Sequence, residues 1–395
     1  MVGSSWAQPA PQVSLPSGRA GVTHVAGDYR FRAGNYLIEG AERIQGFGSK
    51  SIMLFFEPHK FNEQYPDNNK LNNAAIKGPH SLTELAKTDP FATVFTMPFS
   101  TIVLTAYSHT FPDGPILTPS PQSYENEELE FYELTKYLLS TYSSTSEEKI
   151  FILTNWEADN TVSFKQEPKL EYNHQNDMTD ADGKVMIEWL SARQKGVSKA
   201  RAAMGSVPGV QVFHAVTINR TLDVTRRHLK RVLNMVVPFV KADMVGCSCY
   251  DAMIDNPDVT TKAKTKDVMN EALSALDHWA PDDLGLGKRR IYVAEYGLFE
   301  NDSNAGRPPM TPKEAIWRTE AVLESVAEFG ASYAFFWQLF DNECNAPDGT
   351  PLLETETALG FDNPRRPKPD SCRGLWLIKP DGTEGTALSV LRRHW

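Results

Sequence analysis

The chain is poor in cysteine, with four in 395 residues. That is too few for a disulfide framework standing in for a core. Cys247 and Cys249 lie two apart in one apolar, strand-like run, so their side chains share a face and read as free core thiols. Cys344 and Cys372 fall in loop-like sequence, where they are able to pair if the compartment is oxidising. No apolar run is long enough to cross a bilayer, so no membrane partner is expected. Basic residues are in deficit: 40 Lys and Arg stand against 50 Asp and Glu, a net charge of −10. With a pI near 5.5, the balance argues against a nucleic-acid partner. No glycine-rich phosphate loop follows an early strand, and no G-x-S-x-G elbow is present. The nine histidines are scattered without metal-ligand spacing, and Cys247 and Cys249 lack a second pair, so neither a metal nor a cofactor is expected. None of the strands read below ends in lysine, which removes the Schiff-base aldolases.

What the sequence does have is strand and helix in alternation. Apolar runs at 22–28, 51–56, 101–107, 149–157, 210–218, 244–250, 290–297 and 332–341 read as strands. Helical spacing falls between them at 35–47, 81–87, 125–144, 180–204, 226–240, 266–280 and 312–329, with a last helix near 387–393. Ser81 with Glu84 three residues on has the form of a capping box. Eight such units imply parallel strands with right-handed crossovers and match a (β/α)8 TIM barrel of the α/β class. A doubly wound open sheet is the runner-up. Residues 1–18 read as a flexible N-terminal segment and 19–395 as one catalytic domain. Connections from helix to strand are short, whereas those from strand to helix are often long, as at 57–80, 108–124, 158–179, 298–310 and 342–373. Barrel chemistry sits on the face where such long loops gather, and loops of this length build a walled pocket suited to chain ends or short substrates.

Three strand ends carry chemistry. KIFILTNWE ends in Glu157, RIYVAEYG carries Glu295, and SYAFFWQLFD carries Trp337 and Gln338. A carboxylate at the C-terminal end of a buried strand lies just outside the apolar core. Either acid alone is as readily a solvated or salt-bridged residue opening a loop. Two of them with a tryptophan in register point to sugar chemistry.

These residues resemble those of the clan A retaining glycoside hydrolases. The acid after strand four is similar to the clan's general acid/base, and the acid after strand seven to its nucleophile. The tryptophan on strand eight is similar to its sugar platform. Tyr250, in CSCYD on strand six, is similar to the tyrosine that contacts the nucleophile, and GLWLIKPDGTEGTALSVL is similar to the closing segment of many members. The resemblance implies an O-glycosidase with an oligosaccharide or glycoside substrate. There is one departure: the clan has Asn directly before its acid/base, where this chain has Trp156, with Asn155 one place earlier. In an extended strand Asn155 and Glu157 share a face and Trp156 takes the other, but a bulge re-aims any of them. The donor to the sugar 2-hydroxyl is therefore Trp156, Asn155 or another group.

Two carboxyls suffice for the reaction, one protonating the leaving group and one attacking the sugar. Glu157 is expected to have a raised pKa from its aromatic wall and its partner's charge, and Glu295 to stay ionised, held by Tyr250. Tyr107 and His109, after strand three, are candidate sugar contacts or loop packing, and Gln338 is a further candidate contact. His24 and His214 lie in apolar strands and read as satisfied core histidines. The alternative is a catalytically silent barrel that binds carbohydrate or serves as a scaffold. The sequence does not fix an oligomeric state. Its polar, proline-containing start resembles a processed precursor, so secretion with the signal removed is favoured over a cytoplasmic location.

Overall fold

Short runs rich in β-branched and aromatic residues form eight strands: β1 (Arg19–His24), β2 (Ser51–Phe56), β3 (Thr101–Ala106), β4 (Lys149–Thr154), β5 (Val210–Ile218), β6 (Met244–Ser248), β7 (Ile291–Tyr296) and β8 (Tyr333–Phe336). All pair in parallel and in sequence order, and β8 closes on β1, giving a (β/α)8 barrel. The computed structural model describes residues 16, 18–67, 78–115, 119–143, 148–163, 176–254, 256–301, 309–353 and 356–395. Most of the segment 1–18 lies outside these residues, as do parts of all five long loops.

The lumen is filled by alternate side chains of the strands, among them Met53, Val103, Ile150, Ile152, Phe213, Tyr292 and Phe335. This is the layered packing of a closed barrel of this size. Two strand glycines make room for two of the rings. A Cβ on Gly21 would stand 2.4 Å from the Phe335 ring, and one on Gly246 would stand 2.5 Å from the Tyr292 ring. The opposite strand faces pack against helices in a larger apolar shell. Side-chain caps start the main helices. Asn35 accepts from Leu37 ahead of Tyr36–Phe47, Thr179 from Asp182 ahead of Asp180–Met204, and Thr311 from Glu314 ahead of Pro312–Phe329. Each cap satisfies an N–H that the first turn leaves without a partner.

Several expectations need correction. The first strand is Arg19–His24, not 22–28. The helix expected at 226–240 is three short pieces, Thr221–Arg227, Val232–Met235 and Val237–Val240. His228 takes a left-handed conformation between the first two, and Pro238 lies in the third. The capping box at Ser81 forms only in half: Ser81 accepts from Glu84, but the Glu84 carboxylate takes the His80 N–H instead. Cys247 and Cys249 are joined in a disulfide rather than free, because β6 ends at Ser248 and Cys249 turns out of the strand; Cys344 and Cys372 are joined as well. His24 and His214 are buried and each bonds through one ring nitrogen, to Tyr36 O and Gln194 Oε1; the other nitrogen has no partner among the described residues. Burial lowers the pKa of His24 to about 4 and that of His214 further, so both are neutral.

Candidate active site

The site forms where the strand alternation breaks. Along β4 the residues Ile150 and Ile152 face the lumen, and Thr154 bonds there to Thr217. Beyond Thr154 the chain leaves the sheet. Asn155 is fully buried between β4 and β5; its amide donates to Thr217 O and its Oδ1 accepts the Thr217 N–H. It therefore continues the sheet pairing with a side chain. Trp156 and Glu157 both turn toward one cavity of about 440 Å³. On the far side, β7 pairs with β6 through a register shift in which Val293 faces Cys247 but Glu295 faces Ser248. The extra residue is Ala294, which, like Tyr292, fills the lumen. This bulge turns Glu295 inward as well, instead of outward as strict alternation requires.

Glu157 and Glu295 thus line the same cavity, 8 % and 2 % exposed. Glu157 Oε2 accepts from the Asn160 amide and, at 3.0 Å, from Asn219 Nδ2, which also donates to Asn160 Oδ1 at 2.8 Å. Asp159 fixes this arrangement by accepting the N–H groups of Asn219 and Val232. Burial raises the Glu157 pKa to about 7, against the opposing hydrogen bonds of Ser248 and Asn160. Burial, and then the Glu157 charge, raise Glu295 well above the ordinary carboxylate range, with Trp156 and Ser248 acting the other way. The expectation that Glu295 simply stays ionised is therefore corrected. With both carboxyls buried in one cavity, the charge of either one disfavours ionisation of the other.

Trp337 stands just past the end of β8, 9 % exposed, and lines this cavity. It also lines a second cavity of about 700 Å³ at the ends of β1, β2 and β3, as do Trp156 and Asn342. Tyr250 is not on strand six: it opens the short helix Tyr250–Met253, lines the smaller cavity and stacks on Phe299. Tyr107 lines the larger cavity and accepts the Trp156 N–H at 3.0 Å. Three candidates lie apart from both cavities. Asn155 is spent on β5. Gln338 is fully buried, its Oε1 accepting the Val25 N–H. His109 is exposed, its ring 6.1 Å from that of His80.

Sequence reasoning missed Asn160, Asn219, Ser248 and Glu57. Glu57 directly follows β2 as Glu157 nearly follows β4, and that spacing was a usable signal. Asn219 directly follows β5; it stands in an Asn-Arg-Thr sequon, but its amide is engaged by Glu157 and Asn160. Asn160 and Ser248 carried no signal. Among the described residues, one group gathers potential metal ligands, Asp341 with Cys344 and Cys372. The thiols are bonded to each other, and Asp341 accepts the N–H groups of Glu343, Gly374 and Leu375, so the group is a structural clasp.

The sequence matches no protein-family profile and no curated protein. Solved structures do match. The exo-β-1,4-mannosidase Op5Man5 from Opitutaceae bacterium strain TAV5 aligns at TM-score 0.51 and 12% identity, over 96% of this chain and 59% of that one. This chain therefore spans less than two thirds of that protein. GH5_18 from Streptomyces cattleya, solved in complex with GlcNAc, aligns at TM-score 0.52 and 14% identity, over 96% and 80%. A modular family 26 endo-β-1,4-mannanase from Cellulomonas fimi aligns at 0.45 and 12%, over 82% and 68%. The chain thus shares the barrel of clan A glycoside hydrolases, without resolving to one family.

Proposed function

We propose that this chain is a retaining O-glycoside hydrolase in which Glu157 is the acid/base and Glu295 the nucleophile. The observation that carries the reading is the pair itself: two buried carboxyls in one cavity, each with a raised pKa, beneath a tryptophan wall. One proton shared between them is the state the reaction needs. The carboxyl with Asn160 and Asn219 beside it donates to the leaving oxygen. The other, ionised, attacks the anomeric carbon and forms a covalent intermediate. Glu157, now ionised, then draws a proton from water, which releases the sugar with its configuration retained. In the position before Glu157, Trp156 brings a buried indole N–H to the cavity beside Glu295, and this ring takes the place of the displaced Asn as donor.

Trp337 supplies the apolar face on which a sugar ring rests. The Cys344–Cys372 bond fits a secreted protein. The reading is tested with a panel of aryl glycosides and natural oligosaccharides. Turnover of at least one member, lost in Glu295→Gln, is expected. A chain that binds sugars but turns over none of them would instead be a silent carbohydrate-binding barrel.

A further inference from the structure

The chemistry above leaves the larger cavity unexplained. It shares Trp156, Trp337 and Asn342 with the smaller one, so the two are lobes of a single trough. Glu157 and Glu295 line only the smaller lobe. An acid must stand beside the leaving oxygen, so the leaving group lies on the acid's side of the scissile bond. The sugar under attack touches Glu295 and rests on the shared Trp337 wall, so its non-reducing side reaches into the larger lobe.

The far wall of that lobe comes from the loops after β2 and β3. Glu57 is buried with Gln64 and Lys60 beside its carboxylate, and its Oε2 is an enclosed acceptor with no well-aligned hydrogen bond among the described residues. Gln64 Oε1, in the same lobe, is a second. Lys60 Nζ stands 3.7 Å from Glu57 Oε2 and 2.6 Å from Asp113 Oδ1, so it ties the two loops together across the end of the trough. His59 Nε2 lies 3.6 Å from the same carboxylate oxygen. Phe55 meets Trp337 edge-on at 5.9 Å, which completes an apolar floor. Buried acceptors left without donors are costly, and a polyol carries the O–H groups that satisfy them. A polysaccharide threading through would have to part Lys60 from Asp113.

We propose that Glu57, backed by the Lys60–Asp113 pair, binds hydroxyls of the sugar at the non-reducing end, so that the enzyme removes terminal residues instead of cutting within chains. This rests on the glycoside hydrolase reading above.

The test uses the full chain and fluorescently labelled hexasaccharides of gluco, manno, galacto and xylo type, tagged at the reducing end. Each is also made with a 4-O-benzyl cap on its non-reducing sugar. Labelled pentasaccharide should appear first from an uncapped hexamer, and the cap should slow cleavage at least about tenfold. Glu57→Gln should lower kcat/KM on the uncapped hexamer by about 10- to 100-fold, mostly through KM, as expected for a lost charged hydrogen bond. Early mid-length products, with capped and uncapped chains cut alike, would overturn the proposal. So would wild-type kcat/KM in a Glu57→Gln variant with wild-type circular dichroism. The capping result needs no variant and stands even if Glu57→Gln fails to fold. The aryl glycoside panel separates the two readings: turnover there with internal cutting of the hexamers sinks only the terminal one, whereas turnover nowhere sinks both.

Discussion

The lower lumen of the barrel and its upper rim are built from the same eight strands and use their polar groups differently. In the lumen, several polar atoms pair with each other, while the hydroxyls of Thr23, Ser51 and Thr105 have no partner among the described residues. Thr101 Oγ1 meets the Tyr333 hydroxyl at 3.0 Å, and Thr154, Thr217 and Tyr292 form a closed set at 2.8 to 3.3 Å. At the rim Glu157 is bonded by Asn160 and Asn219, but enclosed acceptors that border the cavities are left over: Asn342 Oδ1 and Glu57 Oε2 have no hydrogen-bond partner among the described residues. A satisfied buried network specifies one packing, and an unsatisfied one stores a cost that a ligand removes. The contrast says where the chain is built for stability and where for binding.

The largest effects should come from removing the rim carboxyls. Glu295→Ala should abolish turnover of every substrate, whatever its leaving group. Glu157→Ala should lose about 10²- to 10⁴-fold on natural sugars, the usual worth of general acid/base catalysis, yet still form the intermediate from an aryl glycoside with a good leaving group. Added azide needs no base, so it should rescue Glu157→Ala and give a glycosyl azide of retained configuration. Rescue of Glu295→Ala should give the inverted azide, by direct attack in the space the carboxylate leaves. The opposite pair of products would exchange the two roles.

Next in size is the wall. Trp337→Ala should weaken catalysis by about 1–3 kcal/mol, a factor of roughly 5 to 150 in kcat/KM, while the fold survives. Unchanged kinetics on a good substrate would return Trp337 to a purely structural role. The matching change in the lumen is Gly246→Ala, whose new Cβ would press on the Tyr292 ring. Overpacking there should cost about 1–3 kcal/mol of stability, read as a lower melting temperature, with kcat per folded molecule little altered. Should it lower kcat as strongly as Trp337→Ala, lumen and rim would not be separable.

The barrel was legible because each strand is a short apolar run set between helices with their own periodicity and caps. The helix at 180–204 and the strands at 51–56 and 210–218 lie where the spacing puts them. Strand ends were harder to read. Local alternation places Asn155 beside Glu157 and leaves Glu295 facing outward. The structure instead uses Asn155 to seal β4 to β5 and a bulge at Ala294 to turn Glu295 in. Both depend on a neighbouring strand distant in sequence, which no local pattern encodes. The break at His228 escaped for the opposite reason: the apolar spacing of a helix continues through it, and the left-handed residue has no glycine to announce it.

The smallest effect should be one of stability, and its sign follows from the proton held at the rim. Burial carries the Glu157 carboxyl from an ordinary 4.5 to about 7. Between those values the native chain keeps a proton that the unfolded chain has already released. Stability therefore falls as pH rises through that window, and the full penalty remains above it. Glutamine does not titrate, and its Oε1 still accepts from Asn160 and Asn219. Near pH 5 Glu157→Gln replaces one neutral group by another and should leave the melting temperature nearly unchanged. At pH 8 it removes a buried charge and relieves the repulsion on Glu295, so it should stabilise the inactive chain by about 1–2 kcal/mol. Glu295→Gln should shift stability the same way, because its carboxyl is raised by the same burial and by Glu157. Melting curves of both variants at the two pH values decide it. Equal shifts at pH 5 and pH 8, or a loss at pH 8, would mean that the pair carries no strain from its charge and that the rim is as well satisfied as the lumen beneath it.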